Sequence, residues 1–136
     1  MRLNAYLNFN GRCAEAVTFY QQSLGAKVQM MMTYGESPMA DHVSPEWRDK
    51  IIHATLTVDG TEMGCADSPP GFYEKPAGFA VAIQINDPPE AERIFRSLSE
   101  NGTVTMPIQE TFWAARFGML VDRFGIPWMI NCGKAE

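Results

Sequence analysis

Three side chains in this sequence could do acid–base or anion chemistry from a strand: His53, Glu62 and Arg116. The dipeptide Asp59-Gly60 suits a two-residue type I′ turn between the apolar runs 51–58 and 61–66. That turn pairs Val58 with Thr61 and Thr57 with Glu62. His53, Thr55, Thr57, Glu62, Gly64 and Ala66 then share one face, and Ala54, Leu56, Val58, Met63 and Cys65 take the other. A histidine so placed is either a structural hydrogen-bonding group or a ligand-contacting, proton-handling one. Glu62, one strand over, is either a solvated carboxylate or close enough to pair with His53, and a base if apolar walls raise its pKa. Arg116 could hold an anionic substrate if it lies opposite Asn131 on an inward face; otherwise it makes a surface salt bridge.

Little else in the chain suggests a reactive cluster. The second histidine, His42, falls in a loop, so the two histidines form no pair. Cys13, Cys65 and Cys132 are odd in number and lack CxxC spacing, which reads as reduced thiols packed among apolar side chains. With 136 residues, 46% apolar and 20% charged, the chain fits one compact domain that needs no disulfide or metal to hold it. Its net charge of -5 gives no basic field to gather phosphates, so nucleic acid is excluded as an expected partner. No apolar run reaches 18 residues and no signal-type amino terminus is present, so neither a membrane nor export is expected and the protein is placed in the cytoplasm.

The elements that must position these residues can be read in order. Residues 3–9 alternate, with Leu3, Ala5, Leu7 and Phe9 on one side and Asn4, Tyr6 and Asn8 on the other, as in a half-buried strand. Ala16, Phe19, Tyr20 and Leu24 follow helical spacing up to Gly25. Residues 27–34 form a methionine-rich strand, and 35–49, broken by Pro38 and Pro45, a long loop of the kind that borders sites. After the hairpin at Gly60 comes a segment with three prolines and two glycines, a linker over 68–78. The chain then starts over: a strand at 79–85, a helix entered through Asn86-Asp87 and Pro88-Pro89 and stopped at Asn101-Gly102, a strand at 103–109, and a hairpin from 115–121 to 127–132.

Leu7 and Phe9 match Ile83 and Ile85, Glu15-Ala16 matches Glu90-Ala91, Gly25 matches Gly102, and the turn at Gly60 matches that at Gly125. The fold is therefore expected to be α+β, built from duplicated βαβββ modules, module one 1–67 and module two 79–136, within a single domain 1–136.

At these residues the sequence resembles the vicinal oxygen chelate superfamily, which includes glyoxalase I, bleomycin-resistance proteins and extradiol dioxygenases. It is most similar to the PhnB-like branch, often labelled 3-demethylubiquinone-9 3-methyltransferase. The matching residues are Tyr6 to Phe9, Glu15-Ala16, Phe19-Tyr20, Leu24-Gly25, His53-Ala54 with Leu56, and Ala66 to Ser68. The most specific block is Phe112-Trp113, Phe117-Gly118, Val121-Asp122, Phe124-Gly125 and Trp128. The resemblance implies a cup-shaped half barrel from each module, a ligand on the concave side, and a homodimer.

Metal-using relatives place donors at positions that fall, by register, on Asn4, Gly64, Ala80 and Met129. Glycine and alanine offer no donor, and a thioether is too soft for Mn, Fe(II) or Mg. No metal and no other cofactor are therefore expected. The expected function is binding of a small apolar or aromatic molecule in the cup, with Tyr6, His53, Glu62, Trp113 and Arg116 as its contacts. The aromatic set, with Phe72, Tyr73 and Phe112 beside Tyr6 and Trp113, would line such a pocket or be covered by a second subunit. The alternative is a metal-dependent lyase or isomerase of the glyoxalase type using non-standard ligands such as His53 and Glu62, or a metal-free proton-transfer catalyst. A methyltransferase is disfavoured, because the chain lacks a GxG pattern and a doubly wound series for an adenosyl cofactor.

Overall fold

The computed structural model describes residues 1–134, so Ala135 and Glu136 of the expected second module lie outside the described residues. Contacts divide the chain into two units, Met1–Glu74 and Lys75–Glu136. Each unit is a βαβββ module whose four strands form one mixed sheet. In the first, β1 (Ala5–Phe9), α1 (Cys13–Leu24), β2 (Lys27–Thr33), β3 (Ile51–Val58) and β4 (Thr61–Asp67) give the order β1-β4-β3-β2. In the second, β5 (Val81–Ile85), α2 (Pro88–Ser99), β6 (Thr103–Gln109), β7 (Ala114–Val121) and β8 (Pro127–Gly133) give β5-β8-β7-β6. Both sheets join their first strand to their last in parallel and the other neighbours antiparallel. The α+β duplicated architecture is thus the one the sequence implies. Among the described residues no helix is long and apolar enough to cross a membrane.

In the first module, alternation sends Leu7, Phe9, Ala54, Leu56, Met63 and Cys65 against α1, which returns Ala16, Val17 and Tyr20, all buried. The Phe9 and Tyr20 rings meet at 6.5 Å. Gly25 ends α1 in the left-handed conformation (φ 68°), where only a residue without Cβ sits at no cost, and its N–H donates to the Gln21 carbonyl. In the second module Ala91, Ile94, Phe95 and Leu98 of α2 are buried with Leu120, Trp128, Ile130 and Cys132. Asp87 stands at the helix start, but its side chain makes no capping bond. The segment expected as an irregular loop after β2 folds instead into three 3-10 turns, Tyr34–Glu36, Ala40–His42 and Pro45–Trp47. The first is closed by a reciprocal pair in which Thr33 Oγ1 accepts the Glu36 N–H and Glu36 Oε1 accepts the Thr33 N–H. The Thr33 N–H and the Thr33 hydroxyl, both donating to Glu36 Oε1, hold the Glu36 carboxyl below the usual carboxylate range.

Each module is tied by one buried aspartate. Asp67, 1% exposed, accepts the Cys13 N–H at the start of α1 (2.9 Å) and the Ile51 N–H at the start of β3 (3.0 Å), while its own carbonyl accepts the Tyr34 hydroxyl (2.7 Å). Asp122, 3% exposed, accepts the Phe124 and Ile126 N–H groups on Oδ1 (2.9 and 3.0 Å) and the Trp128 indole N–H on Oδ2 (2.9 Å). A buried carboxylate is tolerated because both of its oxygens receive donors. In Asp67→Asn or Asp122→Asn the new NH2 must face an N–H donor, so each substitution is expected to cost about 2–4 kcal/mol of stability. Urea unfolding followed by circular dichroism checks this, and a change within about 0.5 kcal/mol, the range of ordinary surface substitutions, would contradict it.

Candidate functional site

In the first module, the type I′ turn forms with Asp59 and Gly60 both at positive φ (47° and 83°), and the register is the expected one, Val58 with Thr61 and Thr57 with Glu62. His53, Thr55 and Thr57 therefore stand on the face turned away from α1. The parallel strand β1 adds Tyr6 to the same face, with Tyr6 opposite Gly64 and Gly64 opposite Thr55. The Tyr6 ring lies flat across Gly64. A Cβ built there would clash with the edge of the ring, 2.7 Å from Cε2 and closer still to Cδ2, so the missing side chain is what lets the ring approach the strand.

Lying down, Tyr6 reaches His53. Its hydroxyl is 2.9 Å from His53 Nδ1, and the two rings are 19° from parallel with centroids 5.7 Å apart. On the other edge of the imidazole, Thr55 Oγ1 is 3.2 Å from Nε2. The result is an unbroken chain of hydrogen-bonding groups, Tyr6, His53 and Thr55, on a face that leaves Tyr6 half exposed. Burial of the phenol is the main cause that pushes its pKa above the ordinary tyrosine value, with the nearby thiols of Cys65 and Cys13 adding to it. Tyr6 is therefore a neutral hydroxyl throughout the neutral range.

Glu62 does not join this chain. It pairs across the sheet with Thr57, two residues along β3 from Thr55, and its carboxylate bonds to Arg2 at 3.0 Å. A His53–Glu62 pair, one of the two readings of that acid, does not form: Tyr6 and Thr55 occupy both imidazole nitrogens and Arg2 takes the acid.

In the second module the face turned away from α2 holds Phe117, Met119, Met129, Asn131 and Gln84. Arg116 is not on it. Of the two readings of Arg116, a place opposite Asn131 or a salt bridge, a bulge between Ala114 and Arg116 leaves the second: Arg116 stands opposite Cys132, and Phe117 stands opposite Asn131. Arg116 thus points to the helix side and bonds Glu92 of α2 through Nε at 2.9 Å and the Ala115 carbonyl through Nη1.

Trp113 belongs to a tight turn closed by Thr111 N–H to the Ala114 carbonyl and Ala114 N–H to Thr111 Oγ1. The turn projects Phe112, which meets the Trp113 ring edge-on at 4.7 Å, and Trp113 meets Phe117 edge-on at 5.3 Å. Below them Asn131 Nδ2 donates to Gln84 Oε1 (2.8 Å), while Asn131 Oδ1 is buried with no hydrogen-bond partner among the described residues. Nothing but the polar alternation of the two strands signals that amide pair before the structure. A separate groove of about 600 Å³ between α2 and β6 is lined by Phe95, Arg96, Ser99, Val104 and Ile108. Its two acids, Glu92 and Glu100, face arginines of β7 and of the β7–β8 turn, so it gathers no catalytic group.

The positions at which metal-using relatives carry donors offer Gly64 under the Tyr6 ring and Met129 opposite Met119, and Asn4 and Ala80 precede the strands β1 and β5. Among the described residues no three His, Cys, Asp or Glu side chains are grouped to hold a metal ion. All three cysteines are free and buried. A hydrogen bond to the Cys65 thiol, with burial adding to it, pushes the Cys13 thiol far above its ordinary value, so it is an inert core group.

Residues 2–131 match the family model described as 3-demethylubiquinone-9 3-methyltransferase. Protein YjdN of Escherichia coli is 35% identical, over all of this chain and 98% of that protein. Among solved structures, protein PA1353 from Pseudomonas aeruginosa is 41% identical with a TM-score of 0.90 over 99% of each chain. The putative 3-demethylubiquinone-9 3-methyltransferase PhnB protein from Bacillus cereus is 25% identical with a TM-score of 0.79, over 98% of this chain and all of that one. A glyoxylase/bleomycin resistance protein/dioxygenase domain from Frankia shares the fold at 12% identity, with a TM-score of 0.70 over 98% of each chain. With its duplicated βαβββ modules and a match along almost its whole length, the chain belongs to the family described as 3-demethylubiquinone-9 3-methyltransferase.

Proposed function

We propose that this protein binds a small, partly apolar or aromatic molecule without a metal ion, using the exposed Tyr6–His53–Thr55 face as its polar contact. The observation that carries the reading is the Tyr6 ring lying over Gly64. It fills the space a donor side chain would need at the position relatives use for metal, and it puts a hydroxyl there instead. On the second module the half-exposed Trp113 and the exposed Phe112 form an apolar surface of their own. Arg116 and Glu62 drop out as ligand contacts, since each is engaged with an opposite charge.

The lyase or isomerase alternative needs His53 and Glu62 on one metal ion, and their separate partners argue against it. Methyl transfer, which the family's description names, has no support in the architecture: each sheet has four strands and one parallel pair, not a doubly wound parallel sheet. We also propose that the chain is a homodimer. The exposed Met30 and Met31 on edge strand β2 and Val104 and Met106 on edge strand β6 favour cover by a partner, and light scattering tests it.

A thermal-shift screen of an aromatic small-molecule library in excess chelator is expected to yield stabilising ligands, and stabilisation seen only with divalent metal present would contradict the reading. For such ligands Tyr6→Phe is expected to weaken binding by about three- to tenfold, the worth of one hydrogen bond, with the fold unchanged. Gly64→Ala is expected to lift the Tyr6 ring, costing about 1–3 kcal/mol of stability and the same affinity loss. Unchanged stability in Gly64→Ala would show that the ring is not seated there.

A further inference from the structure

The groove of about 600 Å³ between α2 and β6 of the second module has the volume of a small-molecule site. Its apolar walls come from both elements: Phe95, buried on α2, and Val104 and Ile108 of β6. Val104 lies opposite the buried Leu120 and so on the helix side of the sheet, whereas Met106, past a bulge, lies opposite Met119 and faces away. Beneath the walls Gly118 of β7 carries no side chain. A Cβ there would come within 2.6 Å of Phe95 Cε2 and 3.0 Å of the Ile108 Cα, so the ring and the strand close over bare backbone.

The charges around this hollow do not cancel. α2 and the residue that caps its end carry three acids, and each is engaged by an arginine other than Arg96: Glu90 with Arg93, Glu92 with Arg116 at 2.9 Å, and Glu100 with Arg123 at 3.9 Å. Glu92 stands four residues before Arg96, where a helical ion pair ordinarily forms, but it is turned to the sheet. Among the described residues the exposed Arg96 makes neither an ion pair nor a hydrogen bond. Its place in the last turn of α2 suits the helix dipole, yet a dipole occupies none of the guanidinium N–H groups. The uncharged polar side chain of the lining, Ser99, donates its hydroxyl proton to the Phe95 carbonyl at 2.6 Å. Apolar walls, one uncompensated positive charge and one fork of outward donors remain.

We infer that this groove is a second ligand site, separate from the Tyr6 face, for a small amphiphile with a single carboxylate. The carboxylate oxygens accept from Arg96, and the alkyl body lies along Phe95, Val104 and Ile108. One positive charge calls for one negative charge, and the planar guanidinium fork matches the two oxygens of a carboxylate. A second copy of the chain is the competing occupant, because Val104 belongs to an edge strand. The volume of the hollow and the unpaired guanidinium that lines it favour the small molecule.

Nitrogen–proton correlation NMR of the full chain, titrated with octanoate and separately with octanol, tests the inference. Octanoate is expected to shift, saturably, the amides around Phe95, Arg96, Val104 and Ile108. Arg96→Gln is expected to weaken octanoate by about three- to tenfold, the worth of a charged hydrogen bond in partly exposed surroundings, and to leave octanol unchanged. Val104→Trp, which fills the groove from an exposed position, is expected to abolish binding of both. Octanoate shifts centred instead on Tyr6, His53 and Thr55, equal affinity in Arg96→Gln, binding that survives Val104→Trp, or no saturable shift overturns the inference. So does movement of the same α2 and β6 amides when ligand-free protein is diluted, since a second copy would then be filling the groove. None of these outcomes removes the binding reading for the first module, whose own test is Tyr6→Phe.

Discussion

The contact on which this molecule's candidate chemistry depends is an aromatic ring resting on a glycine. Tyr6 faces Gly64 across a parallel strand pair, and a glycine inside a strand marks a close approach. With no Cβ in the way, the ring lies along the sheet instead of standing off it, and its hydroxyl reaches across β4 to an imidazole on β3. Any side chain at Gly64 would raise the ring and separate the two. One small residue thus lets the hydrogen-bonded chain of Tyr6, His53 and Thr55 form.

That face stays in position because the strands beneath it are pinned from the other side. Asp67 links the beginnings of α1 and β3 to the end of β4, so the strand carrying His53 and the strand carrying Gly64 share one buried carboxylate. Asp122 does similar work in the second module by closing the turn before β8 and fixing the Trp128 indole. Both sites draw their donors from the backbone or the core, so they act on register rather than on the ligand. Burial of apolar residues against the two helices provides the bulk of the stability, and the aspartates select one alignment among several that would bury the same residues.

Much of this was legible before any coordinates. Two left-handed residues in a row demand a turn such as Asp59-Gly60, and a two-residue turn admits one register, so the side-chain faces of β3 and β4 follow from the sequence alone. The repeat of strand, helix and turn signals gave the duplication. What local pattern could not show were contacts between distant segments. Tyr6 and Gly64 are 58 positions apart in a parallel pairing that no turn announces, and the donors to Asp67 lie 54 and 16 residues away. The salt-bridge reading of Arg116 agrees with its bond to Glu92, but the bulge that turns it to the helix side is unannounced, since nothing in Ala114-Ala115-Arg116 marks an extra residue in β7. The loop after β2 was read from its prolines as irregular, whereas proline at the start of a short turn also suits 3-10 geometry.

The central claim is that the face bearing His53 is a hydrogen-bonding site and not a metal site. Nitrogen NMR of the imidazole in chelator-stripped protein, followed during addition of one equivalent of Zn²⁺, addresses it most directly, with His42→Gln used to assign the signals of the only two histidines. The account predicts ring resonances coupled to Tyr6, altered by Tyr6→Phe and unmoved by zinc. A stoichiometric zinc-induced shift of the His53 nitrogens would contradict it.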